Sequence, residues 1–337
     1  MAEEVWMLQT KKADFKQIGA RFRIDPVTAR IIRNRGIEGE AAIDRYLNGT
    51  LDDLYDPMLL KDMERAVSIL CEAVDTGKKI RIVGDYDIDG VCSTYILLQA
   101  FERLGSDVDF EIPDRIKDGY GINESIIEQA HADGVEVILT CDNGISAFHQ
   151  VELAKKYGMT VVITDHHEVP LDGEKEKIPP ADAVIDPKQA DCPYPFPEIC
   201  GAVVAYKLVQ VLYARRGVPQ MEWLDLLEFA AIATVGDVMK LQDENRILVK
   251  YGLKKMAQTK NLGLRRLAKK NNLDLGAITA YHIGFVIGPC LNAGGRLKTA
   301  KEALALLRAQ SEEEAERLAE ELKELNDTRK DMTEQGD

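Results

Sequence analysis

The sequence predicts an α/β protein in which a mostly parallel sheet is flanked by helices. Three observations support this fold class. Short β-branched runs alternate with amphipathic segments between residues 78 and 185. Polar residues follow one predicted strand after another, as they do at the carboxyl edge of open parallel sheets. Helical patterns dominate from residue 201 onward, so helical segments and a long C-terminal helix are expected to complete the lobe.

The length of 337 residues, with 45% of them hydrophobic, suits about two domains or one large lobe with appendages. We expect a helical cap over residues 1–55, an α/β core over 56–200, a helical part over 201–308 and a connecting helix over 309–337. No apolar run is long enough to cross a bilayer, and the first residues lack the hydrophobic region of a signal peptide. A cytoplasmic location is therefore expected.

Cysteine spacing and charge restrict the compartment and the partners. The six cysteines are widely spread, with no CxxC pair and no zinc-finger grouping, so free thiols in a reducing compartment are expected. The net charge of −14 argues against a broadly basic surface for nucleic acid. A polyanionic substrate would therefore have to be held by metal ions and a local cluster of basic side chains.

The elements before the sheet are predicted to be helical. The pattern predicts helices over residues 24–32 and 40–47, with glycines between them. A better-formed amphipathic helix is predicted over 62–74. It leads into the first strand, which the β-branched residues Ile80, Ile82 and Val83 predict.

The stretch after this strand is the most informative of the chain. Asp85, Asp87 and Asp89 follow the strand at alternate positions, and Gly90 is expected to introduce a helix over 91–101. Three acids in five residues repel one another unless a cation lies among them, and hard divalent ions bind carboxylate oxygens. A metal site is therefore predicted here, with a solvated acidic turn as the alternative.

Strand and helix patterns then alternate up to residue 185. The predicted strands are 108–112, 135–140, 160–163 and 183–185, and the predicted helices between them are 123–132 and 147–157. Polar residues follow these strands at Asp142, at Asp165 with His166 and His167, and at Asp186. A lone Asp in such a place is often a helix N-cap, and two histidines often bond to each other, but their joint placement favours a site.

The last part of the chain is predicted to be helical around one glycine-rich loop. The predicted helices are 203–215, 223–234, 244–257, 263–269 and 299–307, and the loop covers 283–296. Ser311 and Glu314 predict a capping box for a long charged helix that ends near Met332. Because its apolar stripe is narrow, this helix is predicted to connect to a further segment.

The predicted metal ligands are Asp87, Asp89, Asp142, His166 and Asp237. Several carboxylates with one imidazole suit Mn²⁺ or Mg²⁺ better than structural zinc, which prefers thiolates. Two such ions close together hold the attacking and leaving oxygens of a phosphoryl transfer and lower the pKa of a shared water. The predicted chemistry is therefore hydrolysis of a phosphate ester or anhydride.

Four segments, GDYDIDG, CDNGIS, TDHHEVP and ATVGDV, occur in this order. With them the chain resembles the DHH phosphoesterase superfamily. The segments IPDRIKDGYGIN, DENRILVKYGL and IGPCLNAGGRL extend the resemblance to its branch of single-strand-specific 5′ to 3′ DNA exonucleases. The resemblance implies a metal-dependent enzyme of DNA repair and recombination that releases nucleoside 5′-monophosphates.

The resemblance implies a role for each acid and imidazole of the motifs. The five predicted ligands would hold two divalent ions, with Asp142 bridging them and Asp85 as a nearby ligand or supporting acid. His167 would contact the scissile phosphate or orient the ligands, and Asp165 would fix an imidazole tautomer.

The resemblance also implies contacts to the substrate. Arg115 would pair with phosphate oxygens of the DNA backbone, and Tyr120 would stack on a base or help to exclude duplex. Asn292 and Arg296 would lie beside the terminal 5′ phosphate. Many relatives have an arginine where this chain has Cys290, so we expect one cationic contact to be missing or supplied from elsewhere.

Family members continue into a DHH-associated domain and an OB-fold, and we expect neither in this chain. The implied partners are single-stranded DNA with a 5′ end, a single-strand-binding protein and a helicase. Two other hypotheses stay open. One is a phosphodiesterase for short oligonucleotides or cyclic dinucleotides, and the other is a non-catalytic DNA-binding scaffold.

Overall fold

The computed structural model describes residues 11–114, 121–297 and 299–336. Its centre is a five-stranded sheet in which every neighbouring pair of strands is parallel. The strands in the described residues are β1 (Ile80–Val83), β2 (Val108–Glu111), β3 (Val137–Cys141), β4 (Thr160–Thr164), β5 (Leu171–Asp172), β6 (Lys175–Glu176) and β7 (Ala183–Ile185). The order in the sheet is β2-β1-β3-β4-β7, and β5 and β6 form a separate small hairpin.

Helices surround this sheet and make up most of the rest of the fold. The first group is α1 (Phe15–Phe22), α2 (Pro26–Asn34), α3 (Glu40–Asn48), α4 (Met63–Asp75), α5 (Ile88–Arg103), α6 (Glu124–Ala132), α7 (Phe148–Lys156) and α8 (Gly201–Arg215). The second group is α9 (Gln220–Leu224), α10 (Leu227–Gly236), α11 (Asp243–Met256), α12 (Leu262–Lys270), α13 (Ala280–His282), α14 (Gly288–Leu297), α15 (Lys301–Arg308) and α16 (Glu312–Gly336).

The sheet separates two hydrophobic cores. Ile80 and Ile82 of β1 belong to the larger core, to which α5, α8 and α10 contribute, whereas Val83 belongs to the smaller core with α6 and α7. This alternation follows from the pleat, because successive side chains of a strand point to opposite faces. The predicted α/β class, with helices on both faces of a mostly parallel sheet, is confirmed.

The strand order creates a crevice between β1 and β3. From β1 the chain moves outward to β2 and then returns past β1 to form β3, so the connections leave these two neighbouring strands in opposite directions. Open parallel sheets bind ligands at such a point, beyond the carboxyl ends of the strands. The polar residues predicted from the sequence follow these strand ends.

The first turn of α5 differs from the prediction. The helix begins at Ile88 and not at residue 91, because the carboxylate of Asp87 caps it by accepting from the N–H groups of Asp89 and Gly90, at 2.9 and 3.0 Å. Gly90 therefore lies inside the helix. A Cβ atom there would come within 2.4 Å of the Asp85 carbonyl oxygen, so the glycine permits close packing of the turn on the helix.

The glycine-rich stretch over 283–296, predicted to be a loop, is helical. A π-helical segment (Ile283–Ile287) leads directly into α14. The glycines here allow close approach of other backbone segments, since a Cβ at Gly295 would lie 2.4 Å from the Tyr86 carbonyl oxygen. Glycine spacing alone does not distinguish this packing role from a turn.

Two further helix predictions need correction. The predicted helix over 223–234 is two helices, α9 and α10, with Asp225 and Leu226 between them. The predicted capping box is only partly formed, because Ser311 Oγ accepts from the Glu314 N–H at 3.1 Å while the Glu314 carboxylate accepts from the Gln310 N–H at 3.0 Å.

The two ends of the described chain pack differently on the lobe. Residues of α2 and α3 form a small core of their own, centred on Ile32, Ile43 and Tyr46, which supports the proposed cap over 1–55. The apolar stripe of α16, including Ala315, Ala319 and Leu322, is buried against α12, α14 and α15. This helix therefore packs within the lobe, and its connecting role stays a prediction.

The six cysteines are free thiols, as their spacing predicted. In the part of the chain that the structure describes, no helix combines the length and the apolar character needed to cross a membrane.

A buried acid at the start of α10 gives the first testable prediction. Burial raises the pKa of Glu228 to about 7, although its carboxylate accepts a hydrogen bond of 2.6 Å from Thr259 Oγ1. A raised carboxyl pKa means that the folded chain binds the proton more tightly, so stability is lost as the pH rises from about 4.5 to 7. Relative to Glu228→Gln, the wild type should lose about 3 kcal/mol of unfolding free energy between pH 4.5 and 8.

Urea unfolding at both pH values measures this difference. The glutamine keeps an acceptor for Thr259 but does not titrate, so it isolates the charge of Glu228. If the unfolding free energies of the wild type and Glu228→Gln depended on pH in the same way, the pKa of Glu228 would not be raised in the folded chain.

Candidate metal centre

The predicted ligands converge at the carboxyl edge of the sheet. Asp85 and Asp87 follow β1, Asp142 follows β3, and His166 and His167 follow β4, and these three strands are neighbours in the sheet. Asp89 comes from the first turn of α5 and Asp237 from the end of α10.

One imidazole nitrogen lies at the centre of the cluster. His166 Nε2 is 3.1 Å from a carboxylate oxygen of Asp142, 3.3 Å from one of Asp89 and 3.8 Å from one of Asp237. The described residues contain three groups whose ligand atoms all lie within 4.8 Å of one another: Asp85, Asp87 and Asp142; Asp89, His166 and Asp237; and Asp142, His166 and His167. Asp142 belongs to two of them and so joins the β1 acids to the histidines.

Asp142 has a backbone conformation that its neighbours hold. Its φ of 61° lies in the left-handed region, which Asp and Asn adopt more readily than most residues. The buried Asn143 amide donates to the carbonyl oxygens of Val83 and Cys141, at 3.0 and 2.9 Å, and accepts from the Ile122 N–H at 3.2 Å. These bonds tie the ends of β1 and β3 together and fix the turn that carries Asp142. Asn143 appeared in a predicted motif, but the sequence suggested no role for it.

The N-terminus of α8 binds Asp89. The N–H groups of Gly201 and Ala202 donate to the two carboxylate oxygens of Asp89, at 2.7 and 2.8 Å. A helix N-terminus carries unpaired N–H groups and a positive dipole end, so it stabilises this carboxylate. A Cβ at Gly201 would lie 2.7 Å from Asp142 Cβ, so only glycine fits between the two acids. The sequence prediction missed this contact, and a glycine at the start of a helix was the only available signal.

Asp237 reaches the cluster from the end of a helix, whereas most of the other ligands follow strands. It ends α10, and its N–H donates to the Ala233 carbonyl at 2.8 Å. A Cβ at Gly236 would come within 2.6 Å of Ile88 Cγ2, so this glycine lets the end of α10 pack on the start of α5.

Asp165 holds His167 in place. Its Oδ1 is 2.7 Å from His167 Nδ1 and accepts from the His166 N–H at 2.8 Å, while Oδ2 accepts from the Ile145 N–H at 2.9 Å. Burial alone would lower the pKa of His167, but the hydrogen bond and charge of Asp165 raise this pKa to about 9. The ring is therefore cationic at neutral pH.

Several acids of the cluster have raised pKa values when no cation is bound. Burial, followed by the charges of neighbouring carboxylates, raises the pKa of Asp85 and of Asp237 to about 7 and the pKa of Asp142 well above its usual range. Burial lowers the pKa of His166, so its ring is neutral at neutral pH. A neutral imidazole among acids that repel one another is suited to bind a divalent cation, which displaces those protons.

A cleft opens from the cluster toward α14 and α16. Its first part, about 300 Å³, is lined by Tyr86, Asp87, Ile88, Gly236, Asp237, Asn292 and Gly295. The next part, about 170 Å³, is lined by Gly236, Gly284, Gly288, Pro289, Asn292 and Arg329. Gly236 and Asn292 border both parts, so the two are adjacent. Asn326, which is buried, accepts from Arg329 Nε and Nη2 at 3.3 and 3.2 Å and orients the guanidinium.

Of the four predicted substrate residues, Asn292 has a side chain in the described part of the structure. Asn292 lines the cleft, and its Oδ1 atom is buried without a hydrogen-bond partner in the described residues. Arg115 and Tyr120 lie outside the described residues, as does the side chain of Arg296, whose backbone belongs to α14. Cys290 is buried, and its sulfur contacts the Asn271 amide nitrogen at 3.8 Å.

Known proteins share the fold of this chain and are similar to it in sequence. The model of the DHH family, N-terminal domain, matches residues 79–234. The crystal structure of an exonuclease RecJ bound to manganese superimposes with a TM-score of 0.73 and 35% sequence identity, covering 82% of this chain and 68% of that one. The chain belongs to the DHH family, in its RecJ branch. The resemblance of its motifs to this family is thereby confirmed.

Other RecJ proteins are similar over almost the whole chain. A crystal structure of RecJ in complex with Mn²⁺ from Thermus thermophilus has a TM-score of 0.78 and 31% identity, and covers 95% of this chain and 44% of that one. The single-stranded-DNA-specific exonuclease RecJ of Bacillus subtilis is 38% identical over 328 residues, which are 97% of this chain and 40% of that protein. The chain spans 40% to 55% of the length of such relatives.

Proposed function

We propose that this chain is the catalytic lobe of a metal-dependent exonuclease that degrades single-stranded DNA from the 5′ end. The observation that carries the proposal is the cluster of acids around His166 Nε2. This cluster opens into a cleft that has the Arg329 guanidinium at its far side. The names of its RecJ relatives support single-stranded DNA as the substrate class.

The donor set fits two Mn²⁺ or Mg²⁺ ions. Asp87, Asp89, Asp142, His166 and Asp237 would hold them, with Asp142 between the two because it belongs to both the β1 group and a histidine group. Carboxylate oxygens with one neutral imidazole are the donors that these ions prefer. Bound there, the ions would lower the pKa of a water molecule and neutralise charge on the reacting phosphate.

The remaining groups of the cluster would act on the phosphate and on protons. The cationic His167 ring would donate to an oxygen of the scissile phosphate, and Asp165 keeps its Nδ1 engaged so that Nε2 is directed away from Asp165. Asp85, with a pKa of about 7, would hold a proton on its carboxylate beside the ligands until a cation binds.

The cleft offers contacts for a strand as well as for one phosphate. Asn292 and Arg329 would bind phosphate oxygens, and Arg329 would supply the cation that Cys290 does not. Tyr281 and Phe285, both mostly exposed, stack with ring centroids 4.8 Å apart beside the cleft glycines. Such rings stack on bases without regard to sequence, which suits a single strand. The roles assigned to Arg115, Tyr120 and Arg296 remain part of this proposal.

The decisive experiment uses a 5′-phosphorylated single strand with Mn²⁺. We expect nucleoside 5′-monophosphates to appear from the 5′ end, and a duplex of the same sequence to be degraded much more slowly. The metal chelator EDTA should abolish the reaction. Absence of mononucleotides with both Mn²⁺ and Mg²⁺, or release from the 3′ end, would contradict the proposal.

A substrate-length series separates the two alternatives. A phosphodiesterase for short oligonucleotides or cyclic dinucleotides would lose efficiency beyond a few nucleotides, whereas the proposed enzyme would continue along long strands. A non-catalytic scaffold would bind the strand without cleavage and would not be stabilised against heat by Mn²⁺. The intact set of predicted ligands favours catalysis. The cytoplasmic location, the role in DNA repair and recombination, and the partnership with a single-strand-binding protein and a helicase belong to the proposal too.

A further inference from the structure

The first turn of α11 contains a buried amide that bridges two loops. Asn245 is fully buried, and its Nδ2 atom donates to the carbonyl oxygen of Glu198 at 2.6 Å and to that of Lys240 at 3.1 Å. Because both neighbours are acceptors, the nitrogen and not the oxygen of the amide must face them. Asn245 Oδ1 has no hydrogen-bond partner within the described ranges, so the two donated bonds are the polar contacts this side chain makes there.

Both loops lead to proposed metal ligands. Glu198 lies three residues before Gly201, whose N–H binds Asp89. Lys240 lies three residues after Asp237. The amide of Asn245 therefore fixes the distance between the loop that leads to Gly201, which holds Asp89, and the loop that follows Asp237.

The turn that carries Asn245 is itself firmly held. Glu244 is fully buried, accepts from Lys207 Nζ of α8 at 3.1 Å and is hydrogen-bonded to the Tyr194 hydroxyl. Asp243 pairs with Arg45 of α3 at 3.0 Å. Anchored on both sides in this way, the turn is a rigid platform from which Asn245 reaches the two loops.

We propose that Asn245 is a positioning residue for the metal centre and sets its affinity for divalent ions without contacting them. The inference rests on the proposed function, because it assumes that Asp89 and Asp237 bind metal. It also explains the DENR segment structurally: Asp243 and Glu244 anchor the turn, Asn245 bridges the two loops, and none of the three lines the cleft. Replacing a residue that orients metal ligands without contacting the metal changes the metal affinity by about 10- to 100-fold.

The test is isothermal titration of Mn²⁺ into the whole chain without substrate. In Asn245→Asp, an oxygen of nearly the same size replaces Nδ2 and faces two carbonyl oxygens, so the loops should separate. We expect the Kd for Mn²⁺ to rise about 10- to 100-fold at a temperature where circular dichroism shows a folded protein. Asn245→Ser, whose shorter hydroxyl can donate to one carbonyl, should give a smaller rise and guards against misfolding of the first variant.

The matched control is Lys240→Ala. It removes the exposed ion pair of 3.4 Å between Lys240 and Glu198, which joins the same two loops at the surface, and should change the Kd less than twofold. Folded Asn245 variants with wild-type Mn²⁺ affinity would overturn the inference and leave the proposed function standing. An unaltered chain that binds no Mn²⁺ would overturn both.

Discussion

The Asp142→Asn variant should melt at a higher temperature than the unaltered chain without metal, yet lose most of its response to Mn²⁺. Burial, followed by the charges of neighbouring carboxylates, raises the pKa of Asp142, so folding without metal must protonate this side chain at a cost in free energy that a neutral amide does not incur. Asn also tolerates the left-handed backbone that this position requires. We expect a gain of about 1–2 kcal/mol, or a few degrees, in EDTA.

With Mn²⁺, the unaltered chain should melt at a higher temperature than the Asp142→Asn variant. Ions that bind only the folded chain raise its melting temperature, and the variant has lost the carboxylate shared by two groups of ligand atoms. Turnover should fall by at least ~100-fold. Thermal melts with EDTA and with Mn²⁺ measure both differences in melting temperature. Asp172→Asn in the exposed hairpin is the matched control. A variant that is destabilised without metal, or that responds to Mn²⁺ like the unaltered chain, would contradict the role of Asp142.

The Gly201→Ala variant should lose metal binding while its helix remains formed. The added Cβ would lie 2.7 Å from Asp142 Cβ and 2.9 Å from its Oδ1, so either Asp142 or the N-terminus of α8 must move. Movement of α8 would also break the two hydrogen bonds that hold Asp89. We expect Mn²⁺ affinity and turnover each to fall by about 100-fold.

Alanine favours helix over glycine by about 1 kcal/mol, which offsets part of the steric cost. The variant should therefore stay folded, and titration with Mn²⁺ together with circular dichroism distinguishes displacement of the ligands from unfolding. Gly276→Ala is the control, because a Cβ there meets only the exposed Asp274 side chain, whose nearest oxygen is at 3.2 Å. Wild-type affinity in Gly201→Ala would show that the cluster tolerates the added methyl group.

Local patterns predicted the sheet and most of its helices well. The strand 80–83 was predicted with the bounds that the structure has, because an apolar β-branched run followed by acids has few other interpretations. The prediction that polar residues after β1, β3 and β4 lie together also follows from strand order, since parallel neighbours end at the same edge.

The errors arose where a residue has a structural role beyond the one predicted for it. Asp87 was predicted as a ligand, and its second function as the cap of α5 shifted the helix start by three residues. The glycines of α14 were interpreted as a loop because their neighbours, such as the Tyr86 carbonyl, are far away in sequence.

Supporting residues were the least visible from the sequence. Gly201 and Asn245 carry no catalytic group, and their importance depends on contacts with segments that only the folded chain brings near. A single sequence gives no measure of such distances, whereas carboxylates and histidines can be recognised by their chemistry alone.

Anomalous diffraction at the manganese edge, from crystals soaked in Mn²⁺, tests most directly whether the cluster holds two ions. Two peaks about 3.5–4 Å apart are expected, both in contact with Asp142, and with Asp87, Asp89, His166 and Asp237 completing the coordination. Absence of peaks from the cluster, or peaks only at exposed acids, would contradict the two-metal centre.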